Sequence, residues 1–258
     1  MNVFRPFLYH KYLLFQVTLR EIRARYKQSI VGYAWIIFNP LAQLLVYSFV
    51  FSIIFRFPTG GVPYAVFLFI GLLPWIYFQT TLSASALVLV ENSNLLKKVR
   101  FPREILPYSI LMAKGVDLFF SMLLLFGFMF FYQTPFQMSI FWAIPIFMIQ
   151  VLLMAGLSLF LSVANLFYRD IQYLTTLGLF IWMYLTPVFY PLSLVPGEYL
   201  WLYKLNPMVG IIEGYRSAFL NMPFDLGTIT MSAVVSVLIF VFGFWIFKRS
   251  EGVFADIV

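Results

Sequence analysis

The segment Tyr64–Val90, YAVFLFIGLLPWIYFQTTLSASALVLV, runs for 27 residues without a charged side chain. A helix needs about 20 apolar residues to cross a hydrocarbon core of about 30 Å, so this segment is long enough to span a bilayer. Backbone polar groups in lipid must be satisfied internally, which a helix achieves within one segment. Five further stretches read the same way. Tyr33–Phe55, Tyr108–Tyr132, Ser139–Phe167, Ile171–Tyr190 and Thr228–Phe247 hold 20 to 29 residues each, and only Lys114 and Asp117 interrupt them. The alternating ten-residue segments of a membrane β-barrel are absent. The sequence predicts an all-α integral membrane protein with six transmembrane helices.

Composition agrees. The chain of 258 residues is 62% hydrophobic and 10% charged, with a mean hydropathy of +0.92. A soluble domain carries about 25% charged residues, so a soluble enzyme and a disordered chain are both excluded. There is no cysteine and only one histidine, His10. Thiolate metal sites, cysteine catalysis and histidine-based metal sites are therefore not expected. The net charge of +7 is read through its distribution, because basic residues mark the cytoplasmic side. Fourteen of the 17 Lys and Arg fall on the side of the N-terminus, the loops after spans two and four, and the C-terminus. Both termini are expected to be cytoplasmic.

The chain reads as one transmembrane unit over 1–258, with an interface helix over 1–32, the six spans over 33–247 and a tail over 248–258. Leu8, Tyr12, Phe15, Leu19, Ile22 and Tyr26 fall within about 80° of one another at helical spacing. This predicts an amphipathic helix in the membrane interface, not a signal peptide. The loop between spans five and six is proline-punctuated yet apolar, and predicts short re-entrant helices. Within it Lys204, Glu213 and Arg216 suit a water-facing edge.

No phosphate loop of the form G-x-x-x-x-G-K-[ST] occurs, so the chain is not expected to hydrolyse ATP by that route. Lys114 and Asp117 are three residues apart and can pair on one helix face; they read as a structural ion pair. Span one carries Asn39, Gln43 and Tyr47 on one arc, and span five carries Gln172, Thr175, Trp182 and Thr186 on another. Such stripes hydrogen-bond to neighbouring helices or line a water-filled path. The second reading makes them, with Tyr33, candidate walls of one pathway. The cytoplasmic loop Glu91–Pro107, ENSNLLKKVRFPREILP, is either a solvated basic loop or a peg for a cytoplasmic partner. Its Leu95, Leu96 and Val99 would form a small apolar face.

Several motifs in order resemble permeases of type 2 ABC exporters for polysaccharides and polyol phosphates. These are RYKQSIVGYAWIIFNP (Arg25–Pro40), FPREILP (Phe101–Pro107), YRDI (Tyr168–Ile171), TPVFYPLSLVP (Thr186–Pro196) and LNPMVGIIEGYR (Leu205–Arg216). The likeness covers nearly the whole chain and is greatest to the branch that exports lipid-linked O antigen. It implies a homodimer in the bacterial inner membrane, served by two copies of a separate ATP-binding subunit that holds ATP and Mg. No cofactor is implied in this chain, and no nucleic-acid partner. Leu95, Leu96, Lys97, Lys98 and Arg100 would contact that subunit, with Tyr168, Arg169 and Asp170 as a second contact. Trp201, Glu213, Tyr215 and Arg216 would lie in the helices that close the exit. The pathway would run between the first and fifth helices of both copies. Exporters of teichoic acid, capsule or small molecules are the alternatives within this resemblance. An integral-membrane transferase fits less well, because no cluster of Asp, Glu or His is present.

Overall fold

The structure, a computed structural model, describes residues 11–26, 30–55, 57, 59, 61–98 and 101–254. Leu8, His10, Val99, Arg100 and the last four residues of the tail, 255–258, lie outside the described residues. Ten α-helices make up the described chain: α1 (Lys11–Tyr26), α2 (Trp35–Ser48), α3 (Tyr64–Glu91), α4 (Ser93–Lys98), α5 (Ile105–Phe131), α6 (Ala143–Phe167), α7 (Ile171–Tyr184), α8 (Leu200–Leu205), α9 (Pro207–Leu220) and α10 (Leu226–Ser250). There is no strand among the described residues. A π-helical turn, Phe49–Ile54, extends α2.

Five of the helical segments are long and apolar enough to cross a membrane: Gly32–Ser52, Tyr64–Glu91, Ile105–Phe131, Met138–Phe167 and Leu226–Val253. The stretch Ile171–Tyr190 behaves differently from its hydropathy. Its helix, α7, stops at Tyr184 after 14 residues, about 21 Å at 1.5 Å per residue. Pro187 explains the stop, since proline disfavours helix in the residue before it and cannot donate to the ladder. The turn that follows is fastened from its surroundings. Asn206 donates to the Leu185 carbonyl, Arg216 to those of Val188 and Tyr190, and the Tyr64 hydroxyl to that of Phe189. Irregular backbone at membrane depth is tolerated only under such internal satisfaction.

Helix α3 is the axis of the bundle. It packs against α2, α5, α6, α7 and α9, and most of its residues from Tyr64 to Leu89 are buried. An interior strut ties three of these helices together: Gln150 of α6 donates to the Pro74 carbonyl of α3 at 2.8 Å and accepts from the Tyr215 hydroxyl of α9 at 3.0 Å. The most extensive helix pair is α6 with α10. Gly156 and Gly243 allow it, because a Cβ on either would lie within 2.6 Å of the facing backbone. Small residues at such crossings let membrane helices approach closely.

A second apolar cluster closes the end of the bundle that carries the basic loops. It joins Leu14 and Val17 of α1, Leu96 of α4, Ile105, Leu106 and Ile110 of α5, and Phe247 and Phe254 near the C-terminus. Helix α1 packs against α5 and buries an edge of Leu14, Val17 and Thr18. Two residues of the expected apolar stripe, Tyr12 and Phe15, are exposed. A charged clasp holds the same end. Lys248 reaches both oxygens of the buried Glu104 at 2.9 Å and Glu251 at 3.0 Å. Arg103 bonds the Glu251 carbonyl.

Candidate functional site

Helices α2 and α7 lie on α3 and leave broad faces uncovered. On α2 the exposed positions include Tyr33 just before the helix, Trp35, Phe38, Asn39, Leu45 and Val46. Gln43 is half-buried and donates to Asn39 Oδ1 at 3.1 Å, so two of the expected wall residues form one polar step on this face. Tyr47 turns toward the end of α7, its ring 4.8 Å from that of Phe189. Phe189 also stacks on Phe51 at 4.8 Å, and Phe57 meets Tyr190 at 6.4 Å. An aromatic cluster thus links the end of α2 to the turn after α7.

The expected stripe on α7 faces inward. Thr175 is 8% exposed and Thr186 0%. Gln172 is half-buried beside Asn165, whose Oδ1 accepts the Gln172 backbone N–H. Trp182 sets its ring edge-on to Phe78 of α3 at 5.1 Å. Thr175 and Thr186 are therefore not wall residues of an open surface in this conformation. Polar side chains on a membrane helix are drawn to internal partners, and Thr186 donates to the Trp182 carbonyl at 2.8 Å. The uncovered face of α7 carries Tyr173, Thr176, Phe180 and Tyr184. Three of these are aromatic, and an aromatic face has no polar periodicity to mark it in the sequence.

Asn206 organises the loop between α7 and α9, a role the sequence reading did not give it. Its Oδ1 accepts the Trp182 indole N–H at 2.8 Å and the Met208 N–H at 3.0 Å. Its Nδ2 donates to Thr186 Oγ1 at 2.9 Å. The signal was present locally: Asn before Pro is a favoured N-cap with proline in the first helical position. Among the expected exit residues, Trp201 is exposed, whereas Tyr215 and Arg216 are buried. Arg216 does not face water. Its guanidinium pairs with Glu213 at 2.7 Å and lies 3.8 Å over the Phe67 ring, next to Gly71, whose missing side chain makes the room. A buried charge needs this many partners, which is why a position read as water-facing is interior. Lys204 pairs with Asp225 at 2.9 Å.

At the basic end, α4 turns Leu96 into the core at 3% exposure and leaves Lys97 and Lys98 exposed. Leu95 packs half-buried on the same cluster. The apolar side of this helix is therefore used by the chain itself, contrary to its expected use as the docking face. Tyr168, Arg169 and Asp170 are all exposed in the tight turn between α6 and α7. Lys114 and Asp117 do approach, at 3.9 Å. The close partner of Asp117 is nevertheless Arg25 of α1, at 2.7 Å.

Among the described residues no group of three or more His, Cys, Asp or Glu could hold a metal ion. What the geometry offers is a helical membrane bundle with an uncovered aromatic and polar side and a basic, exposed short helix at one end. That arrangement defines the class as a multi-pass helical membrane protein. Residues 12–220 match the family described as ABC-2 type transporter, and the chain belongs to that family of transporter permeases. It is 31% identical over 247 residues to the O-antigen export system permease protein RfbA of Klebsiella pneumoniae, covering 95% of each chain. It is 31% identical over 262 residues to the protein of the same name from Myxococcus xanthus, covering 99% of each. To the polysialic acid transport protein KpsM of Escherichia coli it is 25% identical over 236 residues, covering 86% of this chain and 88% of that one.

Proposed function

We propose that this chain is the membrane subunit of an ATP-driven exporter that carries a lipid-linked polysaccharide of the O-antigen type out across the bacterial inner membrane. The observation that carries the reading is the uncovered side formed by α2 and α7. A polymer must cross without meeting lipid, so two copies facing each other across these helices would enclose it. Asn39 and Gln43 would replace hydration of the sugar. Tyr33, Tyr47, Tyr173, Phe180 and Tyr184 would offer flat sliding surfaces, with weak repeated contacts suited to conduction. The near full-length likeness to proteins named as O-antigen permeases supports the cargo.

In this reading both termini are cytoplasmic, and α7 with the turn after it makes the sixth crossing. Helix α1 lies at the interface, and α8 and α9 dip back from the outer side to close the exit. Two copies of a separate ATP-binding subunit hold ATP and Mg and dock against Lys97, Lys98 and the turn Tyr168–Asp170. The test is deletion of the chain in its host. Glycan should disappear from the cell surface and accumulate, still lipid-linked, on the inner face. Undiminished surface glycan would refute the reading.

A further inference from the structure

A small cavity of about 130 Å³ lies between α2, α3 and α5. Its charged and polar lining includes Asn39, Thr80, Lys114, Asp117 and Ser121. The single carboxylate is already engaged: Arg25 Nη1 donates to Asp117 Oδ2 at 2.7 Å. Lys114 stands 3.9 Å from that same oxygen, outside hydrogen-bond range, and its ammonium makes no hydrogen bond among the described residues. The other Arg25 nitrogen, Nη2, is buried with no acceptor. Asn39 has its Oδ1 occupied by Gln43, which leaves its N–H₂ as a donor, and the Thr80 hydroxyl adds another. Among the described residues Arg25 and Lys114 both stand beside this one carboxylate, so these three side chains together carry one net positive charge, with Arg25 Nη2 and the lysine ammonium lacking an acceptor there.

Trp35 and Ile36 at the start of α2 also line the cavity, and Trp35 is 51% exposed. Tryptophan is enriched at the membrane–water interface, which favours headgroup depth for this end of α2. A charge kept inside a membrane segment is costly unless paired and marks a functional site by default. We infer that this cavity binds a singly charged phosphodiester through Lys114, Asn39 and Thr80, with Arg25 neutralising Asp117. Lysine serves phosphate as a compact point charge, and one negative charge brings the cluster to neutrality. The oxyanion comes from a lipid headgroup or from a soluble phosphate ester. The site uses no residue of α7, shares Asn39 with the uncovered face of α2, and needs no particular glycan.

The test uses the purified full chain in phosphatidylcholine nanodiscs, with and without added phosphatidylglycerol, and separately with inorganic phosphate against chloride. Native mass spectrometry counts retained phosphatidylglycerol, and thermal unfolding reads stabilisation. The expected result is one retained phosphatidylglycerol that Lys114→Gln weakens about tenfold, Lys114→Arg keeps, and the exposed control Lys97→Gln leaves unchanged. Asp117→Asn should tighten binding, a gain that misfolding cannot mimic. Lys114-dependent stabilisation by inorganic phosphate without lipid retention assigns the same chemistry to a soluble source. If neither probe responds to Lys114→Gln, the cavity is merely hydrated and the inference is overturned.

Discussion

The indole N–H of Trp182 donates to the side-chain oxygen of Asn206 at 2.8 Å, tying the last turn of α7 to the first turn of α9. The same amide caps α9 and holds Thr186, so one side chain fixes how the outer loop meets α7. Asn206→Ala should cost about 1–3 kcal/mol, the usual loss when buried partners are left unsatisfied. Asn206→Asp should recover the cap and the Trp182 bond while losing the donor to Thr186. Thermal unfolding in detergent checks the order: wild type, then Asp, then Ala.

Gly243 admits no side chain. A Cβ there would lie 2.1 Å from the Gly156 carbonyl oxygen, and backbone cannot yield as a flexible side chain can. Gly243→Ala should lower stability by about 1–3 kcal/mol or more, as overpacking does. Gly127→Ala, with nothing within 4 Å of the new methyl group, should leave stability unchanged or raise it slightly. Equal behaviour of the two variants in thermal unfolding would contradict the close α6–α10 crossing.

On α4, the two kinds of residue should separate folding from docking. Leu96→Asp buries a charge in the chain's own core and should reduce the yield of folded permease. Lys97→Glu with Lys98→Glu changes only exposed side chains and should leave unfolding temperature within error. If these lysines face an ATP-binding subunit, the double variant should lose its capture in a pull-down at low salt. Normal capture by the double variant would remove α4 from the contact.

The five long helices were legible because hydropathy over 20 residues is a strong signal. The end of α7 was not, since Ile171–Tyr190 stays apolar through Pro187 and hydropathy does not register the lost helical bond. Which of its two readings the α7 stripe follows is not visible in local sequence for a related reason. Thr175 and Thr186 are polar, yet their polarity is spent inside, while the open face is aromatic and looks like any lipid-facing surface. The Gly156–Gly243 contact depends on which helices become neighbours, and no local pattern announces it. The pairing of Arg25 with Asp117 bridges 92 positions. The sequence showed only the nearer Lys114.

Asp225 supplies a pH signature at the other end of the bundle. Its carboxylate accepts from Lys204, from the Thr228 hydroxyl and from the Thr228 N–H. Those bonds hold its pKa down to about 2, below the ordinary 3.8. A depressed carboxyl contributes stability above its unfolded value and loses it as pH falls through the folded one. The cap is therefore full above about pH 4 and fades toward pH 2. Asp225→Ala should cost about 1 kcal/mol at neutral pH, and the gap to wild type should close on acidification in thermal scans.

The central claim is that the uncovered faces of α2 and α7 line a water-filled path. The chain has no cysteine, so single cysteines can be placed without background. With its ATP-binding partner present and the path held open, cysteines at Asn39, Gln43, Thr176 and Tyr184 should react with a small, membrane-impermeant maleimide. Cysteines at Leu238 and Phe242, exposed on α10 where the account places lipid, should not react. Labelling of the α10 positions with protection of the α2 and α7 positions would contradict the account.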